Sequence, residues 1–220
     1  MPSRFDLHLH TKKYSPDSDI TPEQMVHDAL AAGLTGIVVT EHDLVWTDED
    51  WPIIQAIPGA EKLTILKGIE ISAYEGHFLC FGLEPPTSHF VGMKLRDIVR
   101  EIRHMDTVMI AAHPYRWDQE FDEIYAQNKE HLVALELASK NIFPDTRERV
   151  EQLIKKNPGQ RLTASSDAHH EGQIGCYYTE FDDTITNTRE LINALRGGNF
   201  RPRHNTVHTR WQISGPIPNS

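Results

Sequence analysis

Basic residues are in short supply: 22 Lys and Arg stand against 32 Asp and Glu, a formal charge of −10 over 220 residues. Affinity for a long nucleic acid rests on neutralising many phosphates, so this balance argues against a polymeric nucleic acid as partner. It leaves open a small anion held by metal ions. Cysteine is nearly absent. Cys80 and Cys176 lie far apart in unlike contexts, which excludes a disulfide framework or a cysteine-based zinc ribbon and points to a reducing cytoplasm. No run reaches the roughly 18 apolar residues of a membrane span, and the opening MPSRFDLHLHT has no apolar signal region. The expectation is a soluble, unprocessed cytoplasmic protein with no membrane partner. Repeats of 20 to 50 residues and low-complexity segments are also missing, which sets aside solenoids and propellers.

What the chain does have is histidine, 13 in all, the commonest metal ligand and the usual acid or base near neutral pH. It also has alternation. RFDLHLH (4–10) reads as a strand, TPEQMVHDALAAG (21–33) as a helix with Thr21 as N-cap, Pro22 in the first turn, Gln24 completing a capping box and Gly33 as the stop. The β-branched run TGIVVTEHD (35–43) reads as a buried parallel strand. Strand signals recur at 63–72, 77–83, 107–114, 132–138, 161–169 and 177–181, and helix signals at 94–105, 121–129, 145–156 and 187–199. Roughly six or seven βα units in one chain of this length predict a single α/β domain over residues 1–220, either a barrel or a doubly wound sheet, with an extended tail from about 205 to 220.

The polar residues favour closure. His8, His10, Glu41 to Asp43, Glu70, His113, Glu136 and Asp167 to His169 all fall at or just past the end of an apolar strand. In a barrel those ends converge on one face. His8 and His10 stand at i and i+2, so on a strand they point the same way and can share a cation. A lone H-x-H reads equally as a polar strand end. His42, His77, His113 and His169 add further donors, and Glu70 and Asp167 are carboxylates within apolar runs. A buried carboxylate is costly unless paired or bound to a cation, and histidines rather than Lys or Arg surround these two. His27, His89, His104, His131, His170, His204 and His208 are expected at the surface or satisfied locally, and Asp182 and Asp183 in a solvated turn.

Taken in order, DLHLHT, TEHD, GIEIS with GHFLCFG, AHP and SDAH resemble the motifs of the PHP (polymerase and histidinol phosphatase) family of metal-dependent phosphoesterases, from residue 6 to about 169. The resemblance implies a distorted seven-stranded (β/α)7 TIM-like barrel with two or three divalent metal ions at the strand ends. His8, His10, Glu70 and Asp167 would hold one ion; Glu70, His77 and His113 a second, with Glu70 bridging; and His42, His169 and Asp17 a third, Asp19 being the rival for the last place. Zinc, manganese or iron would suit these ligands. The implied reaction is hydrolysis of a small-molecule phosphate monoester by a metal-activated hydroxide, with no catalytic residue beyond the ligands. No polymerase or helix-hairpin-helix segment is evident, so a stand-alone enzyme is expected.

For substrate binding, Arg116 in HPYR offers a guanidinium fork for phosphate, and Lys140 and Asn141 follow an apolar strand toward the same face. Arg201 and Arg203 read as a flexible basic tail or as groups closing over the site. The expected partner is a small phosphorylated metabolite such as a nucleotide or histidinol phosphate, selected by loops 43–63 and 84–94. A base would find Tyr14, Trp46, Trp51, Tyr115 or Trp117 to stack on. A metal amidohydrolase is the alternative and would want a bridging lysine where Glu70 stands. A non-catalytic metal-stabilised scaffold would want a missing ligand.

Overall fold

The computed structural model describes residues 2–118 and 120–217. Its strands are β1 (Ser3–Asp6), β2 (Gly36–His42), β3 (Thr64–Ala73), β4 (Gly76–Phe81), β5 (Val108–Ala111), β6 (Leu132–Ala138), β7 (Arg161–Ala164), β8 (Tyr177–Phe181) and β9 (Phe200–His204). The helices are α1 (Pro22–Ala31), α2 (Trp51–Gln55), α3 (Leu95–Ile102), α4 (Phe121–Asn128), α5 (Pro144–Lys156) and α6 (Thr188–Gly197). One sheet takes all nine strands in the order β7-β6-β5-β4-β3-β2-β1-β8-β9. Neighbours β1, β2 and β3 run parallel, as do β5, β6 and β7, while β4 lies antiparallel to both β3 and β5.

The ends of this sheet nearly meet. Past β7, Ala168 bridges Leu9 in parallel, His10 N–H donates to Ala168 O at 2.9 Å and Asp167 N–H to His8 O at 2.8 Å. On β8, the Thr179 hydroxyl donates to Ala164 O at 2.9 Å and accepts Ala164 N–H at 3.1 Å. The result is a nearly closed α/β barrel, and its nine strands replace the seven regular βα units expected. Two features cause the difference. Only Tyr74 and Glu75 separate β3 from β4, too short a link for a helix crossover, so the pair is a hairpin. At the other edge, β8 and β9 pair antiparallel beside β1.

Close packing fixes the sheet. The ring of Phe5 fills the space a side chain at Gly36 would need, its Cζ 2.2 Å from where that Cβ would stand. Phe5, Val38, Phe81 and Ile110 share a buried cluster with Leu191, Ile192 and Leu195 of α6. A second cluster joins Met25, Val26 and Ala29 of α1 to Ile37, Val39, Trp46 and Ile54. Trp46, Ile54, Ile57, Ala60 and Leu63 anchor the 43–63 segment, with α2, to this cluster. Thr21 caps α1 by accepting Gln24 N–H at 3.1 Å. The Gln24 amide does not close the capping box; it reaches forward to Asp28 at 2.7 Å.

Of the tail expected from about 205 to 220, residues 205–217 are built in rather than extended, and 218–220 lie outside the described residues. Arg147 of α5 donates to the carbonyls of Ser214 and Pro216, both at 3.0 Å, and Tyr177 OH donates to Gly215 O at 2.9 Å. Among the described residues no helix is long and apolar enough to cross a membrane.

Candidate metal centre

After Asp6 the chain keeps its alternation past the end of β1. Leu7 and Leu9 enter apolar clusters, while Asp6, His8 and His10 turn to the opposite side, all fully buried. His42 ends β2 in register with Glu70 of β3. His77 opens β4, and because β4 is antiparallel its start lies beside the end of β3, opposite Ser72. His113 follows β5, and Asp167 and His169 follow β7. Six segments thus deliver donors to one end of the barrel.

Glu70 is the hub. Its Oε1 lies 2.8 Å from His77 Nδ1, 2.9 Å from His113 Nε2 and 3.4 Å from His8 Nε2; its Oε2 lies 2.9 Å from His42 Nδ1 and 3.4 Å from His10 Nε2. Asp167 Oδ1 stands 3.4 Å from both His8 Nε2 and His10 Nε2. Asp17 Oδ2 sits 3.3 Å from His42 Nε2 and 3.2 Å from His169 Nε2. Asp19 instead faces the exposed His170 at 3.0 Å. Potential ligand atoms fall into overlapping sets: His8, His10 and Glu70; Glu70, His77 and His113; His8, His113 and Asp167; and His10, His42 and His169.

Within this cluster His8 Nε2, His10 Nε2 and Glu70 Oε2 are buried without a hydrogen-bond partner. Such orphans are rare in folded proteins and cost roughly 1–3 kcal/mol each, so converging lone pairs of this kind fit a cation. The electrostatics agree. Burial acts to raise the Glu70 carboxyl, yet charge on His8, the bonds from His113 and His77 and the nearby His42 hold it well below its ordinary value. Burial pushes His10 down to about 3, against the pull of Asp167 and Glu70. For His8 burial is outweighed by Asp167, Glu70 and Glu136, and its value rises well above the ordinary one.

Backbone strain marks the same place. His113 and Asp167 adopt φ of 26° and 53°, a region that residues other than glycine occupy at some cost and that clusters at functional sites. Supporting groups hold them there. Glu136, fully buried, accepts His113 N–H at 2.8 Å and lies 3.3 Å from His8 Nδ1. Glu41 accepts Ser15 Oγ–H at 2.6 Å, and Ser15 Oγ lies 3.2 Å from His10 Nδ1. Asp6 accepts the N–H groups of Ser166 and Gly175, both at 2.9 Å, and burial lifts its carboxyl to about 6. From the sequence Glu136 and Glu41 show only their strand-end positions; their placement behind the histidines had no local signal.

Of the expected substrate groups, Arg116 Nη1 lies 3.4 Å from His113 Nε2, and the Asn141 amide donates to Asp167 Oδ2. Lys140 is half-buried, which lowers its ammonium, and Asp167 and Asp17 act on it in the opposite sense. Arg201 and Arg203 are elsewhere: both sit on β9 and pair with Glu180 of β8, so they form neither a flexible tail nor a closing arm. Most of the proposed stacking aromatics are also engaged. Trp46 and Tyr115 are buried, Tyr14 donates to Asp50 at 2.7 Å, and Trp51 packs under Lys67. Trp117 is exposed beside His77 and His113. The seven other histidines lie at the surface or partly exposed.

Residues 147–200 match the family model described as PHP-associated. Comparison with curated proteins gives no match. Among solved structures, a two-domain protein from Bacteroides vulgatus containing a predicted PHP-like metal-dependent phosphoesterase superposes with a TM-score of 0.67 at 21% identity, over 93% of this chain and 65% of that one. The lesion-specific endonuclease Q from Pyrococcus furiosus gives 0.68 at 17% identity, over 92% and 58%. Endonuclease Q bound to a 27-mer duplex with an abasic lesion at its active site gives 0.63 at 16% identity, over 91% and 58%. This chain thus spans about two-thirds or less of each. The endonuclease overturns the exclusion of polymeric nucleic acid drawn from net charge. Charge summed over the whole chain does not report the field at one end of a barrel, and the same fold receives duplex DNA in that enzyme.

Proposed function

We propose that this chain belongs to the PHP family, a reading supported by its fold and its PHP-associated segment, and that it hydrolyses a phosphate ester at a site holding two or three divalent metal ions. The observation that carries this reading is the set of buried, unpartnered atoms His8 Nε2, His10 Nε2 and Glu70 Oε2 facing one another. His8, His10, Glu70 and Asp167 would hold one ion, Glu70, His77 and His113 another, and Asp17, His42 and His169 a third. Zinc, manganese and iron all suit imidazole and carboxylate. Bound ions would supply hydroxide at neutral pH and neutralise charge on the phosphoryl group.

The chain's own residues do the rest. Glu70 presents one oxygen to His77 and His113 and the other to His42, so it suits a bridging role that a lysine would fill in an amidohydrolase. Glu136 and Ser15 stand behind His8 and His10 at their Nδ1 atoms and leave both Nε2 atoms free for an ion. Arg116, at the edge of the cluster, offers parallel N–H groups to a phosphoryl oxygen, and the Lys140 ammonium adds positive charge. This concentration of cations suits the doubly charged end of a monoester, which makes a small-molecule phosphate monoester the finer part of the proposal.

Phosphate release from 4-nitrophenyl phosphate tests it, with zinc, manganese and iron each supplied. Bis(4-nitrophenyl) phosphate and a duplex carrying an abasic site run in parallel. Turnover of the monoester that Glu70→Gln or His10→Ala abolishes is the expected result. Cleavage of the duplex alone would replace the monoester part and leave the metal chemistry standing. No cleavage of any ester, or full activity in Glu70→Gln, would overturn the reading.

A further inference from the structure

The segment His113-Pro114-Tyr115-Arg116-Trp117 places every second residue in the left-handed region, with φ of 26° at His113, 65° at Tyr115 and 59° at Trp117. A bulky side chain there is a strained outlier whose persistence needs a reason. Two of the three have one. His113 faces Glu70, and Tyr115 is buried, its ring packed on Phe121 and capped by the Arg149 guanidinium 4.1 Å from its centre. Trp117 instead meets His77, His113 and Arg116 at the rim of the site and remains 59% exposed. The strain at this residue therefore holds a large aromatic face in the open rather than in the core.

Its place is specific. The indole centre lies 4.9 Å from the His77 ring and 5.8 Å from the His113 ring, both approached edge-on at 67° and 77°. The Arg116 guanidinium lies 4.4 Å from the same indole and reaches within 3.4 Å of His113 Nε2. A group bound at the histidines and contacted by Arg116 thus has Trp117 next to it. The other four aromatics expected from the sequence to stack, Tyr14, Trp46, Trp51 and Tyr115, are buried or held by neighbouring side chains.

We infer that Trp117 is a stacking platform for a planar aromatic ring carried by the substrate, so that the site takes phosphoesters whose ring lies close to the phosphorus. The inference rests on the phosphoesterase reading above and adds the substrate class. Exposed indole faces bind planar rings through dispersion and quadrupole contacts without reading ring substituents. Arg116 joins the two halves, one edge directed to the phosphoryl group and one face to the indole.

The test compares the metal-loaded wild type with Trp117→Ala and Trp117→Phe, measuring kcat/KM for phenyl phosphate and for glycerol 3-phosphate. Comparing this ratio between variant and wild type cancels the intrinsic difference between the two leaving groups. Losing a stack of ordinary strength lowers this ratio about 5- to 100-fold in Trp117→Ala, and Trp117→Phe, which keeps a ring, restores most of it. An unchanged ratio in Trp117→Ala overturns the inference. Calorimetric affinities for phenylphosphonate and methylphosphonate, which have no ester to cleave, read the same contact without turnover. A phenyl preference that Trp117→Ala removes supports stacking even if no ester is hydrolysed, in which case only the hydrolase reading falls. Hydrolysis without any phenyl preference leaves that reading standing and removes this one.

Discussion

The carboxylate of Glu136 lies 3.3 Å from Nδ1 of His8, with its second oxygen bound to the backbone N–H of His113. One buried side chain thus orients an imidazole and pins the strained segment that carries another. A carboxylate behind a metal-binding histidine fixes its tautomer and typically contributes 10–100-fold to metal affinity. Glu136→Gln is expected to weaken metal binding by about 10-fold and Glu136→Ala by about 100-fold, as titration with a metal-competing chromophore would measure. Equal affinity in all three proteins would show that Glu136 only fills space.

Asp17 and Asp19 separate two ways of using the same loop. Asp17 reaches both His42 and His169, whereas Asp19 meets only His170 at the surface. Asp17→Asn is expected to lower bound metal by about one ion per chain, and Asp19→Asn to leave the content at the wild-type level. Metal analysis of the two purified variants decides it, and a deficit confined to Asp19→Asn would reverse the assignment.

Metal binding should release a proton. Burial opposes charge on His8, but Asp167, Glu70 and Glu136 outweigh it and raise His8 above the ordinary imidazole value. That shift favours a proton on His8 in the metal-free protein, which an ion must displace. His10, pushed down to about 3, carries none at neutral pH. Below the His8 value affinity rises with pH, by up to about tenfold per unit, and it levels off above it. Calorimetry in buffers of different ionisation enthalpy should show about one proton released per chain from this group at neutral pH; no release would contradict the protonated state of His8.

How much of this was legible in the sequence depended on whether the signal was local. His8 and His10 share a face because strand periodicity is two, and His42, Glu70, His113 and Asp167 announce themselves as polar groups at the ends of apolar runs. The antiparallel course of β4 is set by a two-residue link, and only that reversal explains how His77, at the start of a strand, arrives beside residues at the ends of others. β9 shows the opposite failure. FRPRH reads as a basic tail, yet it pairs with β8 as an edge strand, with Glu180 across the ladder meeting both arginines. Trp46 and Tyr115 looked available for stacking because burial is a long-range outcome that spacing does not encode. Glu136 and Glu41 were visible as strand-end carboxylates, but their place behind His8 and behind Ser15 with His10 depends on contacts across the barrel.

The most direct test is the number of metal ions per chain in protein reconstituted with zinc, manganese or iron, measured by elemental mass spectrometry beside Glu70→Gln. The proposed centre predicts about two or three ions in the wild type and a marked loss in Glu70→Gln. Fewer than about one ion per chain with every metal supplied, or an unchanged count in Glu70→Gln, would contradict a multi-metal centre built on these residues.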